Sequence, residues 1–190
     1  MSDASRHAMV VLALLAAGCN SAPEESRPDT SPMRKDRLMA PDIQCSTETV
    51  DGRVVVHYEI RNAGTEPIHL IDGKRLPYQL TDGATLVVLH GVNPPDPDRL
   101  YNMIEIPLTR PLAPGERIAG EQVLPPAMLR DHYGEQPTPA ALQHGRIQVR
   151  CDVGWGTTPI TAASRRTMSI QQLLAWQQVT RSAALEVVLP

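Results

Sequence analysis

The chain has 190 residues, with 18 Lys and Arg against 21 Asp and Glu and a net charge of −3. A balance so near neutral carries no electrostatic footprint for nucleic acid or for a strongly acidic partner. Phenylalanine is absent, there are 4 tyrosines and 2 tryptophans, and proline reaches 18. Val, Leu and Ile must therefore build the core, and turns must be frequent.

Residues 8–17, AMVVLALLAA, form an apolar run. Ten residues of helix span roughly 15 Å, half the hydrocarbon thickness of a bilayer, so this run suits the h-region of a secretory signal and not a membrane span. The n-region before it is weak, with Arg6 and His7 against Asp3. Small residues follow, and then the first of 3 cysteines: Leu15-Ala16-Ala17-Gly18-Cys19.

That segment resembles the lipobox of bacterial lipoproteins. The resemblance covers the amino terminus alone and departs from the family at Ala16, where leucine is most common. It implies a signal peptide over 1–18, acylation of Cys19, cleavage before it, and the lipid bilayer as a partner through that residue. Two or more acyl chains, each buried methylene contributing ~0.8 kcal/mol, anchor a protein stably. Asn20 stands where aspartate would signal inner-membrane retention, which favours an outer-membrane location facing the periplasm in a Gram-negative host. The alternative is an ordinary signal peptide that happens to contain a cysteine.

Residues 19–41 are rich in Pro, Ser and charge, with no hydrophobic period. Such a stretch cannot bury enough apolar surface to offset its ordering entropy and reads as a tether. A domain of ordinary size is expected over 42–190.

In that domain Val54, Val56, Tyr58 and Ile60 alternate with Arg53, Val55, His57, Glu59 and Arg61. A period of two predicts a strand with one buried and one wetted face. Asp51-Gly52 before it is a hairpin signal, and Asn62-Ala63-Gly64 predicts a second turn with "IHLI" as the returning strand. "ATLVVLH" (84–90) suits a central strand. "NMIEIPL" (102–108) places Ile104, Ile106 and Leu108 on one face, and a strand is expected near 116–124 after Pro114-Gly115. "PAMLRDHY" (126–133) and "TPAALQH" (138–144) suggest short helical turns. "GRIQVRCDVG" directs Ile147, Val149, Cys151 and Val153 one way and Arg146, Gln148, Arg150 and Asp152 the other. "SIQQLLAWQQ" (169–178) opens on a capping box, Ser169 with Gln172, and predicts a helix packed over an open end or edge. "SAALEVVLP" closes the chain as a strand.

Short strands punctuated by Gly and Pro predict a mostly β domain: one antiparallel β-sandwich with a short helix inserted before the last strand. "VHYEIRNAGTEPIHL" and "PLAPGE" resemble pieces common in immunoglobulin- or fibronectin-like extracytoplasmic sandwiches, which implies a fold class and no activity. Cys45 and Cys151 both fall on inward faces. In an oxidising compartment the pair reads as a disulfide; two unpaired buried thiols are the alternative.

Catalytic and metal signatures are weak. No HxH, HxxxH, CxxC or GxSxG spacing occurs. "RDHYG" brings Asp131, His132 and Tyr133 together, but adjacent residues point in different directions and form no triad by themselves. No metal and no cofactor is expected. The proline-rich loop 90–102 is the expected recognition segment, with Asn93, Asp96, Asp98, Arg99 and Tyr101 as candidate binding residues. Trp155, between glycines, is either a sixth member or a core plug. The expected function is therefore a lipid-anchored, non-enzymatic binding or scaffolding module with an envelope protein partner. A periplasmic inhibitor or immunity protein is the alternative, and an envelope hydrolase a more distant one.

Overall fold

The computed structural model describes residues 39–101 and 104–190. The expected signal peptide, Cys19 and the tether up to residue 38 lie outside the described residues. Six strands form the first part of the described chain: β1 (Asp42–Val50), β2 (Arg53–Arg61), β3 (Ile68–Asp72), β4 (Tyr78–Asp82), β5 (Thr85–His90) and β6 (Leu108–Leu112). Then come β7 (Arg117–Leu124), β8 (Met128–Asp131), β9 (Gly134–Pro137), β10 (Gly145–Gly156), the helix α1 (Ile170–Trp176), β11 (Gln178–Arg181) and β12 (Leu185–Leu189). The protein is mostly β, with one short α-helix among the described residues.

Two sheets result. The smaller has the order β1-β2-β7. Asp51 and Gly52, with φ of 50° and 74°, close the two-residue turn between β1 and β2, a conformation that an Asp-Gly pair adopts readily. The larger sheet holds the other nine strands and is organised by β10. Residues 148 and 149 of β10 pair with both β12 and β5, residues 152 and 153 with both β11 and β5, and Trp155 with both β11 and β3. Since a strand has two edges, β12 and β11 run end to end along one and β5 and β3 along the other. All ladders are antiparallel except β5–β10, which is parallel; the expectation of a purely antiparallel sheet is corrected at that pair.

One hydrophobic cluster draws on both sheets. Val54, Val56, Tyr58 and Ile60 of β2 meet Leu70, Leu86, Val88, Val149, Cys151 and Val153 of the larger sheet. Val56, Ile60, Leu70 and Leu86 are fully buried, each stabilising the fold by ~1.5–3 kcal/mol relative to exposure. A Cys45–Cys151 disulfide links β1 of one sheet to β10 of the other, with Cα atoms 5.7 Å apart.

The chain does not return on itself at Asn62. β3 joins the larger sheet, so 62–67 is a crossover and not the expected hairpin. Asn62, 0% exposed, explains the change of direction. Its carboxamide donates to the carbonyls of Glu66 and Leu112 at 2.8 and 2.9 Å and accepts from Gly64 N–H at 2.9 Å, so the bend is held from three sides.

Three further expectations are corrected. The strand expected over 102–108 begins only at Leu108, where β6 pairs with β3 alone and Pro111 costs no ladder bond. Residues 126–133 are not a helical turn: Leu129 is buried between exposed Met128 and Arg130, a period of two, and β8 turns into β9. Asp152 points away from the inter-sheet core, as the alternation predicts, yet is only 5% exposed. It is held there by Arg150, whose Nε and Nη2 donate to its two carboxylate oxygens at 2.7 and 3.0 Å. Finally, α1 is followed by two strands, and it lies on the outer face of the larger sheet instead of over an end. The outward positions Gly154 and Gly156 make this approach achievable, since a Cβ there would collide with Gln177 and the Trp176 indole. The helix itself has the expected capping box: Ser169 Oγ accepts from Gln172 N–H while Gln172 Oε1 accepts from Ser169 N–H. The turn expected over 138–144 is a 3-10 turn at Ala140–Leu142.

Candidate functional site

Between β5 and β6 the chain runs through 91–107 without regular structure among its described residues, as its prolines require. Its start is clamped. Gln177, which caps α1, accepts from Val92 N–H through Oε1 and donates to the Val92 carbonyl through Nε2, both at 2.8 Å. Gly91 and Gly154 leave room for this carboxamide. Farther along, the Tyr133 hydroxyl donates to the Asn93 carbonyl at 2.7 Å, tying the loop to the β8–β9 turn.

The loop, the β8–β9 turn and the chain entering β4 enclose a cleft of about 610 Å³. Tyr78, Tyr101, His132 and Tyr133 form its aromatic wall, with Arg75, Arg99 and Glu105 around them. A second depression of about 440 Å³ shares Arg75, Tyr78, Glu105 and His132 with it and continues towards Lys74 and Arg165. The volume falls within the range of small-molecule sites. Three of the 4 tyrosines in the chain meet here. The Tyr101 and Tyr133 rings lie 4.8 Å apart at a tilt of 44°, and the His132 ring stands edge-on to both Tyr133 and Tyr78.

His132 is fully engaged. A carbonyl only accepts, so the 2.8 Å contact between His132 Nε2 and Glu105 O places the proton on Nε2. Nδ1 is then the acceptor for the Tyr78 hydroxyl at 3.3 Å. Burial lowers the His132 pKa, partly offset by its bond to the Glu105 carbonyl, so the ring is neutral at neutral pH. Burial likewise raises Tyr78 and Tyr133; neighbouring Tyr101 and Asp131 push Tyr133 further up. Asp131 holds the turn by accepting from the N–H groups of Tyr133 and Gly134, each at 2.8 Å. The run Asp131-His132-Tyr133 therefore supplies a wall and its scaffold.

Among the candidate loop residues, Arg99 and Tyr101 line the cleft, with the Arg99 guanidinium 5.7 Å from the Tyr101 ring centroid. Asp96 shapes the loop: its carboxylate accepts from Asp98 N–H at 2.9 Å and its N–H donates to Tyr101 Oη at 3.0 Å. Asn93 braces the loop, and neither Asp96 nor Asp98 lines the cleft. Trp155 is not in a loop. It belongs to β10, is 2% exposed, and donates from Nε1 to Thr180 Oγ1 at 3.1 Å, which is the core-plug arrangement. Arg75, Tyr78 and Glu105 carried no motif in the sequence; only their convergence from separate elements identifies them. Among the described residues no three His, Cys, Asp or Glu side chains are placed to hold a metal ion. No family model, curated protein or solved structure matches the chain.

Proposed function

We propose that the protein is a lipid-anchored module of the bacterial cell envelope in which an immunoglobulin-like β-sandwich presents a ligand-binding cleft. The observation that carries this reading is the convergence of Tyr78, Tyr101 and Tyr133 with Arg75 and Arg99 on one concavity. Tyrosine and arginine are the residues most enriched where binding energy concentrates, and loops on a stiff scaffold are where recognition usually resides. Because His132 uses both ring nitrogens within the fold, the free polar groups of the cleft serve to hold a ligand. The anchor rests on the lipobox-like residues 15–19, and the disulfide accords with an oxidising, exported location. In this reading the acylated chain sits on the outer membrane facing the periplasm. The sandwich rests on the core shared by the two sheets and on the bridge between them.

Two experiments test it. Cys19→Ala should shift the chain from the membrane fraction to the soluble fraction or to an uncleaved precursor; retention in membranes at the mature mass would refute the anchor. Crosslinking in intact cells should then capture a partner with the wild-type chain and not with a Tyr101→Ala, Arg99→Ala double variant of equal thermal stability. Equal capture by both would remove the cleft from the account.

A further inference from the structure

We infer that the cleft takes a small organic oxyanion, a carboxylate or phosphate ester joined to a ring. The assignment deepens the binding reading above and rests on it.

It follows from which groups the fold leaves unused. The Tyr78 and Tyr133 protons are spent on His132 Nδ1 and the Asn93 carbonyl, and the His132 proton on the Glu105 carbonyl. Tyr101 Oη accepts from Asp96 N–H, which leaves its own proton free to donate. Among the described residues neither Arg75 nor Arg99 forms a salt bridge or a side-chain hydrogen bond, so both guanidinium groups of the lining are uncommitted. The acidic residue of the lining, Glu105, is 81% exposed and already paired with Arg165 at 3.3 Å. The unspent groups are thus two guanidinium forks and a hydroxyl. These are the unspent donors, and two of the three are positively charged. Guanidinium groups match carboxylate and phosphate oxygens with paired, charge-assisted bonds.

The remainder of the cleft calls for more than a bare ion. Tyr101 and Tyr133 provide adjacent aromatic surface, and Leu100, fully exposed beside Arg99, offers an apolar rim. A ring against the tyrosines with its oxyanion towards Arg75 and Arg99 uses both kinds of surface.

Four probes separate these contributions in titrations of the purified full chain, followed by ligand-observed NMR. Phenyl phosphate and benzoate carry ring and charge, benzyl alcohol the ring alone, and inorganic phosphate the charge alone. At least one of the two ring anions should bind about tenfold or more tighter than benzyl alcohol and than inorganic phosphate, and which of them is tighter distinguishes phosphate from carboxylate. Arg99→Gln and Arg75→Gln should each weaken the ring anion by about tenfold while leaving the thermal midpoint unchanged; rising salt should do the same. Benzyl alcohol binding as well as both ring anions would overturn the anion assignment. Inorganic phosphate binding as well as the tighter of the two would overturn the ring, and binding by no probe would overturn both. None of these measurements involves a membrane or a protein partner. Failure here, with crosslinked capture still dependent on Arg99 and Tyr101, would sink the ligand class and leave the module reading intact. If instead the probes bind and Cys19→Ala does not change location, the reverse holds.

Discussion

Removing the Gln177 carboxamide should loosen the cleft from a distance. The side chain makes both hydrogen bonds available to the Val92 backbone, at 2.8 Å each, and packs over Gly91 and Gly154. Val92 is 1% exposed, so its N–H and C=O have little access to water when the partner is lost. Each buried group left unpaired costs ~1–3 kcal/mol, so Gln177→Ala, which orphans two, should destabilise the fold by about 2–6 kcal/mol. Gln177→Glu separates the two bonds. A carboxylate can still accept from Val92 N–H but opposes the Val92 carbonyl with negative charge, so it should rescue little. Urea denaturation gives the stability change, and hydrogen exchange at the Val92 amide gives its location. Gly154→Ala supplies an independent route, since its Cβ would displace the same carboxamide. The two alanine substitutions combined should then cost well under the sum of their separate effects. A loss below about 0.5 kcal/mol for Gln177→Ala, or unchanged Val92 protection, would refute the clamp.

Three more outcomes are expected. Reducing the Cys45–Cys151 bridge, which closes a loop of 106 residues, should lower stability by up to ~4.8 kcal/mol in the chain-entropy model; two titratable thiols in denatured, unreduced protein would contradict the bridge. Arg150→Leu leaves the buried Asp152 carboxylate with only Arg181 at 3.5 Å, and should destabilise by about 3 kcal/mol in urea, with less loss for the Arg150→Leu, Asp152→Leu pair. His90, 6% exposed and with Nδ1 unpartnered, has its pKa lowered to about 4 by burial and then by the Arg110 cation, so the folded state favours the neutral ring. Its stabilisation is complete above the unfolded value of about 6.5 and is lost as pH falls towards 4, by ~3 kcal/mol; His90→Asn should flatten the urea-midpoint profile across that window, and an unchanged slope would refute the assignment.

Legibility in the sequence followed the reach of each signal. Alternation over nine or more residues revealed β2 and β10 with the correct inward faces, because the pleat itself imposes that period. Some short strands escaped, although β3 and β12, of five residues each, did not. β4, β9 and β11 have five, four and four residues, too few for a period to stand out, and they owe their extended form to neighbours already in place. Sheet membership escaped too. "IHLI" was visible as a strand, but its partner is chosen by the Asn62 carboxamide and by Leu112, 50 residues away. The burial of Asp152 on the outward face of β10 was not legible, because alternation says which way a side chain points and not what will cover it. Arg150 encloses one side of that carboxylate, and Arg181 of β11 approaches from another. The site divided in the same way. Arg99 and Tyr101 announced themselves within a proline-rich loop, whereas Arg75, Tyr78, His132 and Tyr133 acquire meaning only when β4 and the β8–β9 turn are brought beside it.

The cleft is shaped by the fold at several points along the loop. Val92 is held by Gln177, the Asn93 carbonyl by Tyr133, and Glu105 by His132 through its carbonyl and Arg165 through its carboxylate. At the exit, Thr109 exchanges bonds with Ile160: its N–H donates to the Ile160 carbonyl at 3.2 Å and its hydroxyl accepts from Ile160 N–H at 2.8 Å. These braces come from β8–β9, from the segment after β10 and from the end of α1, which are separated in sequence by up to some forty residues. Each brace individually is modest, of the order of 1 kcal/mol. Together they fix both flanks of a loop whose composition forbids a ladder of its own, while Arg99 and Leu100 project from its exposed part. A binding site benefits from that arrangement because side chains held in place before the ligand arrives lose less entropy on binding. The helix, the glycines beneath it and the aromatic turn are thus explained together: each supports a loop that the sheets alone would leave unsupported.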